Sequence, residues 1–207
     1  MRFASLLVYT PWRRDHENLG SGPRSIMGMV KGARPAVLER VATRCSEYRD
    51  THFADFFTSA STLIPVPTSA PAKAPDTLWP GLSIAEALLD QGLGRDVQKL
   101  LGRTVRVPKA HEQSAADRPR MDELVDSLEW RGDLGSNLER IILVDDVVTR
   151  GTTFLAAREM IHRAQPWLEV RGFAAIRTMS FEVVTEPLSP ATGFVELQPN
   201  GWGHRDP

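Results

Sequence analysis

The sequence predicts an α/β protein in which a central, mainly parallel sheet is flanked by helices. The residues from Ile141 to Val144 form an unbroken apolar run, which is typical of a strand buried on both faces in a parallel sheet. A second parallel strand is predicted over residues 170–177. Between the two, apolar residues recur at helical spacing, at Phe154, Ala157, Ile161 and Ala164. This order predicts a right-handed β-α-β crossover.

The composition is that of an ordinary globular protein. Hydrophobic residues make up 42% of the 207 residues and charged residues 25%, which is enough apolar surface for a buried core. We expect a single domain over residues 1–207, with its core at about 25–180. The formal net charge is −1 and no block of Lys or Arg is present, so there is no strong nucleic-acid signal.

The sequence also predicts a cytoplasmic protein without membrane contacts. No apolar run approaches the length of a membrane span, and the apolar stretch at residues 3–9 is too short for a signal peptide. Cys45 is the only cysteine, so no internal disulfide can form. Because Cys45 shares a helical face with Val37 and Val41, we expect a buried and inert thiol.

The other elements can be predicted in chain order. The first half contains a strand over 3–9, a loop over 10–24, helices over 25–31 and 36–48, and a strand over 62–64. Ser83 to Glu86 form a capping box, which predicts the start of the next helix. A short helix near 95–101 and an exposed strand over 103–107 should follow. Residues 194–197 predict an edge strand, and the last few residues are expected to fray.

Two adjacent carboxylates, Asp145 and Asp146, end the apolar run at 141–144. In open parallel sheets, ligands bind beyond the carboxyl ends of the strands. Carboxylates there can accept hydrogen bonds from the vicinal hydroxyls of a sugar, or orient a hydrated divalent cation. The alternative is a buried strand whose acidic pair has only a structural role, at the start of the following helix.

The residues from Thr149 to Thr153 lead from this strand into the predicted helix. Backbone N–H groups at a helix N-terminus hold phosphate, and the helix dipole assists them. Gly151 tolerates positive φ and allows close approach of an anion. One strand–loop–helix unit therefore offers a ribose site beside a phosphate site, which are the two ends of a ribose 5-phosphate.

The segment from Ile141 to Thr153 resembles the signature with which type I phosphoribosyltransferases bind 5-phosphoribosyl 1-pyrophosphate (PRPP). It has an apolar strand, two acidic residues, the aliphatic residues Val147 and Val148, and a Thr-x-Gly-x-Thr loop with Arg150 at a variable position. The resemblance implies the type I phosphoribosyltransferase fold, a mainly parallel sheet flanked by helices with a small hood or flap region.

The resemblance also implies roles for individual residues. Asp145 and Asp146 would bind the ribose hydroxyls as the catalytic residues, and would hold Mg²⁺ mostly through substrate or water. The 5-phosphate would lie on the loop formed by Thr149, Arg150, Gly151, Thr152 and Thr153.

A second informative stretch, residues 62–69, joins a short apolar strand to two prolines and then hydroxyl residues. Prolines at 65 and 67 fit a strand tip or edge. The Ile-Pro-Val-Pro run resembles the ComF branch of the family, in which the loop that contacts pyrophosphate follows. The candidate pyrophosphate residues are Pro67, Thr68, Ser69 and Lys73. That branch usually has a basic Arg-Gly-Phe-Asn stretch here, whereas Lys73 is the only cation in residues 71–82, and a Pro/Ala-rich surface loop is the alternative.

Residues 108–127 lack periodicity and contain both acidic and basic groups. Long loops inside compact domains are usually functional or disordered. The family carries a mobile flap at this place, so Lys109, Arg118 and Arg120 are candidate clamps on pyrophosphate. The alternative is a disordered surface loop. The C-terminal segment, about 186–207, is rich in Pro and Gly.

These residues predict transfer of a phosphoribosyl group from PRPP, with Mg²⁺, to an unknown acceptor and with release of pyrophosphate. Purine-salvage members place a third acid where Thr149 stands, so that subset is disfavoured. A non-catalytic PRPP-binding regulator and a competence or DNA-uptake accessory protein are the alternatives, the latter by association alone. The family resemblance implies a homodimer.

Overall fold

The computed structural model describes residues 1–10, 22–71, 77–108, 118–132, 138–179, 184 and 186–206. The strands are β1 (Arg2–Tyr9), β2 (Ser61–Pro65), β3 (Asp96–Val97), β4 (Leu101–Arg103), β5 (Leu128–Trp130), β6 (Arg140–Val148), β7 (Glu169–Thr178), β8 (Leu188–Leu197) and β9 (Gly203–Asp206). The helices are α1 (Gly22–Lys31), α2 (Pro35–Glu47), α3 (Pro80–Asp90), α4 (Met121–Asp126) and α5 (Thr152–Ala164).

Seven strands form the main sheet, in the order β3-β2-β6-β7-β1-β8-β9. The five strands from β3 to β1 pair in parallel, and β8 and β9 continue the sheet as antiparallel strands. A separate two-stranded antiparallel sheet is formed by β4 and β5. The predicted fold class, α/β with a central, mainly parallel sheet flanked by helices, is therefore confirmed.

Strand β6 lies at the centre of the parallel part and is buried on both faces, as its sequence predicts. Ile141 and Leu143 pack into an apolar cluster with α4 and α5. Ile142 and Val144 pack into a second cluster, with α1, α2 and α3. All four residues are fully buried, and the alternation of side chains along a strand explains why consecutive residues join opposite layers. The sheet thus has helices on both faces.

Helix α5 returns across the sheet with the predicted stripe facing inward. Phe154, Ala157 and Ile161 are buried in the cluster shared with α4. Phe154 lies against β7 at Gly172, where an added Cβ atom would come within 2.8 Å of its ring. The predictions for Cys45 are also confirmed in part: its side chain is fully buried in α2, and burial raises the pKa of the thiol.

Three local predictions in the middle of the chain are wrong. Helix α3 begins at Pro80 rather than at the capping box at Ser83, because a proline in the first turn needs no hydrogen bond for its nitrogen. The helix predicted near 95–101 is absent there; β3 pairs with β2 and β4 pairs with β5 instead. The exposed strand predicted at 103–107 lies at 101–103, and Arg103 is buried.

Two predictions near the flap and the C-terminus also need correction. Within the predicted flap at 108–127, residues 121–126 form α4, whose Leu124 and Val125 are buried. Lys109 lies outside the described residues. The predicted edge strand at 194–197 is the end of β8, and β9 is the edge. The residues at 203–206 do not fray, because they pair with β8. In the part of the chain described, no helix has the length and apolar character needed to span a bilayer.

Candidate functional site

The parallel pairing of β2 with β6 brings the two predicted site segments together. Pro65 lies opposite Val144, and the N–H of Val66 donates to the carbonyl oxygen of Val144 at 2.9 Å. Residues 67–69 therefore leave the sheet beside the acidic pair, which lies within the last four residues of β6, where that strand still pairs with β7. This is the edge at which parallel sheets bind ligands.

The two carboxyl groups of the acidic pair interact with each other and with the backbone. The Oδ1 atom of Asp145 accepts the N–H of Asp146 at 2.9 Å, and the Oδ1 atom of Asp146 accepts the N–H of Val147 at 2.9 Å. Burial raises the pKa of Asp145 well above its ordinary value, and the neighbouring Asp146 carboxyl raises it further. The N–H of Asp146 and the positive charge of Arg103 act in the opposite direction.

The loop at residues 65–69 is held to the protein through several of its carbonyl groups. Trp79 Nε1 donates to the carbonyl of Val66 at 2.6 Å, and the N–H of Val107 donates to the carbonyl of Ser69 at 2.8 Å. Among the described residues, no acceptor contacts the N–H groups of Thr68 or Ser69. Both residues are half-buried, and the described part of the fold leaves these two donors without an acceptor.

Two other members of the predicted pyrophosphate set have different positions. Pro67 is buried and has no N–H to offer, so it shapes the loop rather than binding through it. Lys73 lies outside the described residues. Of the predicted pyrophosphate residues that the structure describes, only Thr68 and Ser69 therefore have a backbone N–H group to offer.

The loop at residues 149–153 has the geometry of an open helix N-terminus. Gly151 is the residue before α5, has a φ of 79° and makes no side-chain cap. In the part of the chain described, no acceptor contacts the N–H groups of Thr152 or Thr153, the first two residues of the helix. Thr149, Arg150, Thr152 and Thr153 are half-buried. Such a helix start can hold an anion.

Strands β8 and β9 form a C-terminal hairpin that packs on this loop, a contact that the sequence did not predict. The N–H of Gly203 donates to the hydroxyl oxygen of Thr152 at 2.9 Å, and Arg205 Nε donates to the carbonyl of Thr149 at 3.1 Å. A Cβ atom at residue 203 would lie 2.5 Å from the carbonyl oxygen of Arg150 and 2.8 Å from the nitrogen of Thr152. An anion must therefore approach the loop on the side away from Gly203.

The predicted flap residues Arg118 and Arg120 lie beside this hairpin. Trp202 Nε1 donates to the carbonyl of Arg118 at 3.1 Å, and the guanidinium carbon of Arg150 lies 4.8 Å from the centre of the Trp202 ring. Burial lowers the pKa of Arg150, and the positive charge of Arg118 lowers it further. Arg120 precedes α4 and packs against Gly201. Arg118 thus lies near the 149–153 loop, whereas Arg120 lines a hollow with Glu159 and Arg163, toward the other end of α5.

Arg103 is a site residue that the sequence analysis missed. It ends β4 with only 5% of its surface exposed, and its Nε atom donates to the carbonyl of Thr68 at 3.2 Å. Its Nη1 atom donates to the hydroxyl of Ser127. Burial lowers the pKa of Arg103 to about 10, although the Asp145 carboxylate opposes that shift. No local pattern marks this residue, because its partners lie more than twenty positions away.

The acidic pair suits a divalent cation whose other ligands are mostly water molecules and substrate atoms. The described residues contain no group of three or more His, Cys, Asp or Glu side chains placed to hold a metal. Two carboxylates at a strand tip match Mg²⁺, which usually binds through one or two carboxylates plus phosphate oxygens and water. Two surface hollows, one on the outer side of α2 and one between α4, α5 and the hairpin, contain neither carboxylate, and Arg120 lines the second.

The comparisons with known proteins do not identify the chain. No protein-family model matches it, and no curated protein matches it. Among solved structures, a hypoxanthine phosphoribosyltransferase from Staphylococcus aureus aligns over 77% of this chain and 75% of its own, with 11% identity and a TM-score of 0.33. A likeness at that level carries no conclusion about the activity of this protein.

The close packing of the hairpin on the 149–153 loop predicts the effect of Gly203→Ala. The new Cβ atom overlaps the backbone of Arg150 and Thr152, so the hairpin has to move away from the loop. We expect a loss of about 1–3 kcal/mol in the free energy of unfolding, together with faster amide exchange in residues 149–153. Chemical denaturation and hydrogen–deuterium exchange measure both effects. In the control, Gly28→Ala, the new Cβ atom meets nothing within 4 Å, so stability should stay equal or rise.

The raised pKa of Asp145 predicts that this residue destabilises the folded protein at neutral pH. The folded state binds the proton of Asp145 more tightly than the unfolded state does, whose carboxyl has a pKa of about 3.9. The contribution to stability is thus complete below pH ~4 and is lost as the pH rises through the folded pKa. Asp145→Asn should raise the free energy of unfolding at pH 7 and flatten its fall with pH.

Urea denaturation between pH 5 and pH 8 tests this expectation. Asp90→Asn, which changes an exposed carboxylate at the end of α3, serves as the control and should leave the profile unaltered. A variant at Asp145 that is less stable than the unaltered protein at pH 7 would contradict the assigned burial of this carboxyl group.

Proposed function

We propose that this protein binds PRPP together with Mg²⁺ and transfers the phosphoribosyl group to an acceptor, with release of pyrophosphate. One observation carries the proposal: a pair of carboxylates at one edge of the sheet is flanked by two loops whose backbone N–H groups have no acceptor among the residues that the structure describes. PRPP has the matching order of groups, a 5-phosphate, a ribose with two hydroxyls, and a pyrophosphate. The resemblance of residues 141–153 to the PRPP-binding signature supports the same assignment.

In this proposal the ribose lies over the acidic pair. Asp145 and Asp146 accept hydrogen bonds from the 2- and 3-hydroxyl groups, replacing contacts that they now make with the neighbouring backbone. The 5-phosphate binds to the N–H groups of Thr152 and Thr153, on the side of the loop that Gly203 does not cover. The helix dipole of α5 adds to this attraction.

The pyrophosphate then lies toward the loop at residues 65–69. The N–H groups of Thr68 and Ser69 donate to its oxygens, and Lys73 and Lys109 supply positive charge in the proposal. Arg118 and Arg120 join from the hairpin side, where the structure has them next to Arg150 and Gly201. Most of the negative charge of the ligand is thus met by backbone donors and by these cations.

Transfer requires the bond between the anomeric carbon and pyrophosphate to break through an oxocarbenium-like state, as in glycoside chemistry. The carboxylates of Asp145 and Asp146 hold the hydroxyls of the ribose and stabilise the positive charge that develops on its ring. The loop donors at Thr68 and Ser69 stabilise the departing oxyanion. Mg²⁺, when bound, neutralises charge on the pyrophosphate. No residue has to form a covalent intermediate.

A non-catalytic PRPP-binding regulator is the second candidate, and two observations favour it. The hairpin covers one side of the 149–153 loop, and Lys73 is the only cation between residues 71 and 82. A role in DNA uptake, by analogy with the ComF branch, has no such support, since the net charge is −1. A cytoplasmic homodimer completes the proposal; sedimentation that shows only monomer would remove the dimer.

The first prediction from this proposal concerns binding. Isothermal titration should show saturable binding of PRPP that requires Mg²⁺. In the double variant Asp145→Asn with Asp146→Asn, two charged hydrogen-bond acceptors are lost, so the affinity should fall roughly 100-fold or more. The control variant, Asp50→Asn with Asp90→Asn, changes two exposed carboxylates and should bind as the unaltered protein does. Equal binding by both double variants would contradict the proposed site.

The second prediction separates the enzyme from the regulator. With PRPP and Mg²⁺ held at saturation, a coupled assay for pyrophosphate should report release once a suitable base or amine is supplied. Asp145→Asn with Asp146→Asn should abolish that release because it removes the charges that stabilise the transition state. Tight binding of PRPP without release across a wide acceptor screen would favour the regulator.

A further inference from the structure

We propose that Arg103 is a positioning residue that fixes the 65–69 loop for pyrophosphate, and so makes the site prefer PRPP over ribose 5-phosphate. This inference rests on the proposed function and names a residue that no part of the sequence signature contains. The separate small sheet of β4 and β5 supplies Arg103 to the edge of the main sheet. Arg103 therefore joins two parts of the fold at the point where the ligand would bind.

The contacts of Arg103 form a continuous chain from the loop to helix α4. Its Nε atom donates to the carbonyl of Thr68, and its Nη1 atom donates to the hydroxyl of Ser127. The Ser127 hydroxyl in turn donates to the carbonyl of Leu124 at 2.6 Å, in the last turn of α4. The guanidinium group is thus fixed in position and orientation from both sides.

Because the peptide unit is planar, the contact of Arg103 with the carbonyl of Thr68 also sets the direction of the N–H of Ser69. The carbonyl of Thr68 and the N–H of Ser69 belong to the same trans peptide, so they point in opposite directions. When Arg103 holds the carbonyl of Thr68, the N–H of Ser69 must point away from Arg103. That N–H is one of the two loop donors for which the described residues offer no acceptor. Arg103 therefore aims a backbone donor without touching the ligand.

Burial of this arginine argues for a function beyond filling space. An arginine with only 5% of its surface exposed is costly to bury, and an apolar side chain could fill the same volume at lower cost. An apolar residue would leave the carbonyl of Thr68 without its donor and would free the peptide to rotate. Asp145 lies close enough to attract Arg103 electrostatically.

Replacement of Arg103 by lysine tests the hydrogen-bond geometry of the guanidinium group separately from its positive charge. Arg103→Lys keeps a positive charge near Asp145, but a single ammonium group on a flexible stem cannot reproduce the two fixed N–H contacts. With Mg²⁺ present, titrations should compare PRPP, pyrophosphate and ribose 5-phosphate. We expect the affinities for PRPP and pyrophosphate to fall about tenfold, the effect of one misaligned hydrogen bond to a charged group. Ribose 5-phosphate should bind within about twofold of its original affinity.

Arg171→Lys provides the matched control. Arg171 is also 5% exposed and also donates from Nη1 to backbone carbonyls, those of Asp55 and Phe56, but it lies on β7 opposite Ile142, well before the acidic end of β6. We expect both Arg103→Lys and Arg171→Lys to lower the melting temperature. Only Arg103→Lys should change the ratio of the PRPP and ribose 5-phosphate affinities. That ratio is the readout that a merely structural role would not move.

Ser127→Ala is a second, milder variant, which keeps Arg103 and removes one of its acceptors. It should change the ratio of the PRPP and ribose 5-phosphate affinities in the same direction by a smaller factor. If Arg103→Lys does not fold, Ser127→Ala replaces it as the test variant. Equal weakening of PRPP and ribose 5-phosphate, or no weakening of PRPP, would overturn the role of Arg103. Absence of PRPP binding by the unaltered protein would overturn the proposed function, and this inference with it.

Discussion

The parallel pairing of β2 with β6 is the constraint on which the candidate site depends. The pairing places Pro65 opposite Val144, and one further hydrogen bond, from Val66 to Val144, carries the alignment past the end of β2. A shift of one residue would reverse the faces of every side chain in β2 and move the loop at 65–69 away from the acidic pair. Full burial of Ile64 and Leu143 on one face and of Leu63 and Ile142 on the other fixes that register.

The site that results is built mostly from backbone donors and two carboxylates. Protein donors hold the carbonyl groups of Val66, Thr68 and Ser69, and the described residues offer no acceptor to the N–H groups of Thr68 and Ser69. Asp145 is half-buried beside another carboxyl group; desolvation raises its pKa, and the positive charge of Arg103 opposes that shift. Such an arrangement lowers the stability of the free protein, and strongly perturbed carboxyl groups of this kind cluster at functional sites.

Local patterns in the sequence were enough to predict the parts of the site that lie within one element. The apolar run ending in Asp145 and Asp146, the glycine turn at Gly151 and the inward stripe of α5 are each encoded within about a dozen residues, and the structure has the strand, turn and helix as predicted. The roles of these residues toward PRPP and Mg²⁺ stay predictions.

The contacts between distant segments could not be predicted in this way. Arg103 meets Thr68 across 35 positions, and Gly203 meets Thr152 across 51. The residues around Gly203 contain turn-forming amino acids, which is why the C-terminus was expected to fray; pairing with β8 overrides that local tendency. Pro80 likewise displaces the capping box at Ser83 because the chain enters α3 directly against β6, where an added Cβ atom on Gly81 would come within 2.8 Å of the Val144 carbonyl.

Backbone amide resonances offer the most direct test of whether the two loops hold the two ends of one phosphorylated ribose. In a ¹⁵N-labelled sample with Mg²⁺, addition of PRPP should shift the amide signals of Thr68, Ser69, Thr152 and Thr153 together, since the described residues offer these donors no acceptor. Exposed helical residues such as Glu39 and Arg40 should keep their positions. Saturating PRPP that leaves all four amide signals unmoved would contradict the account.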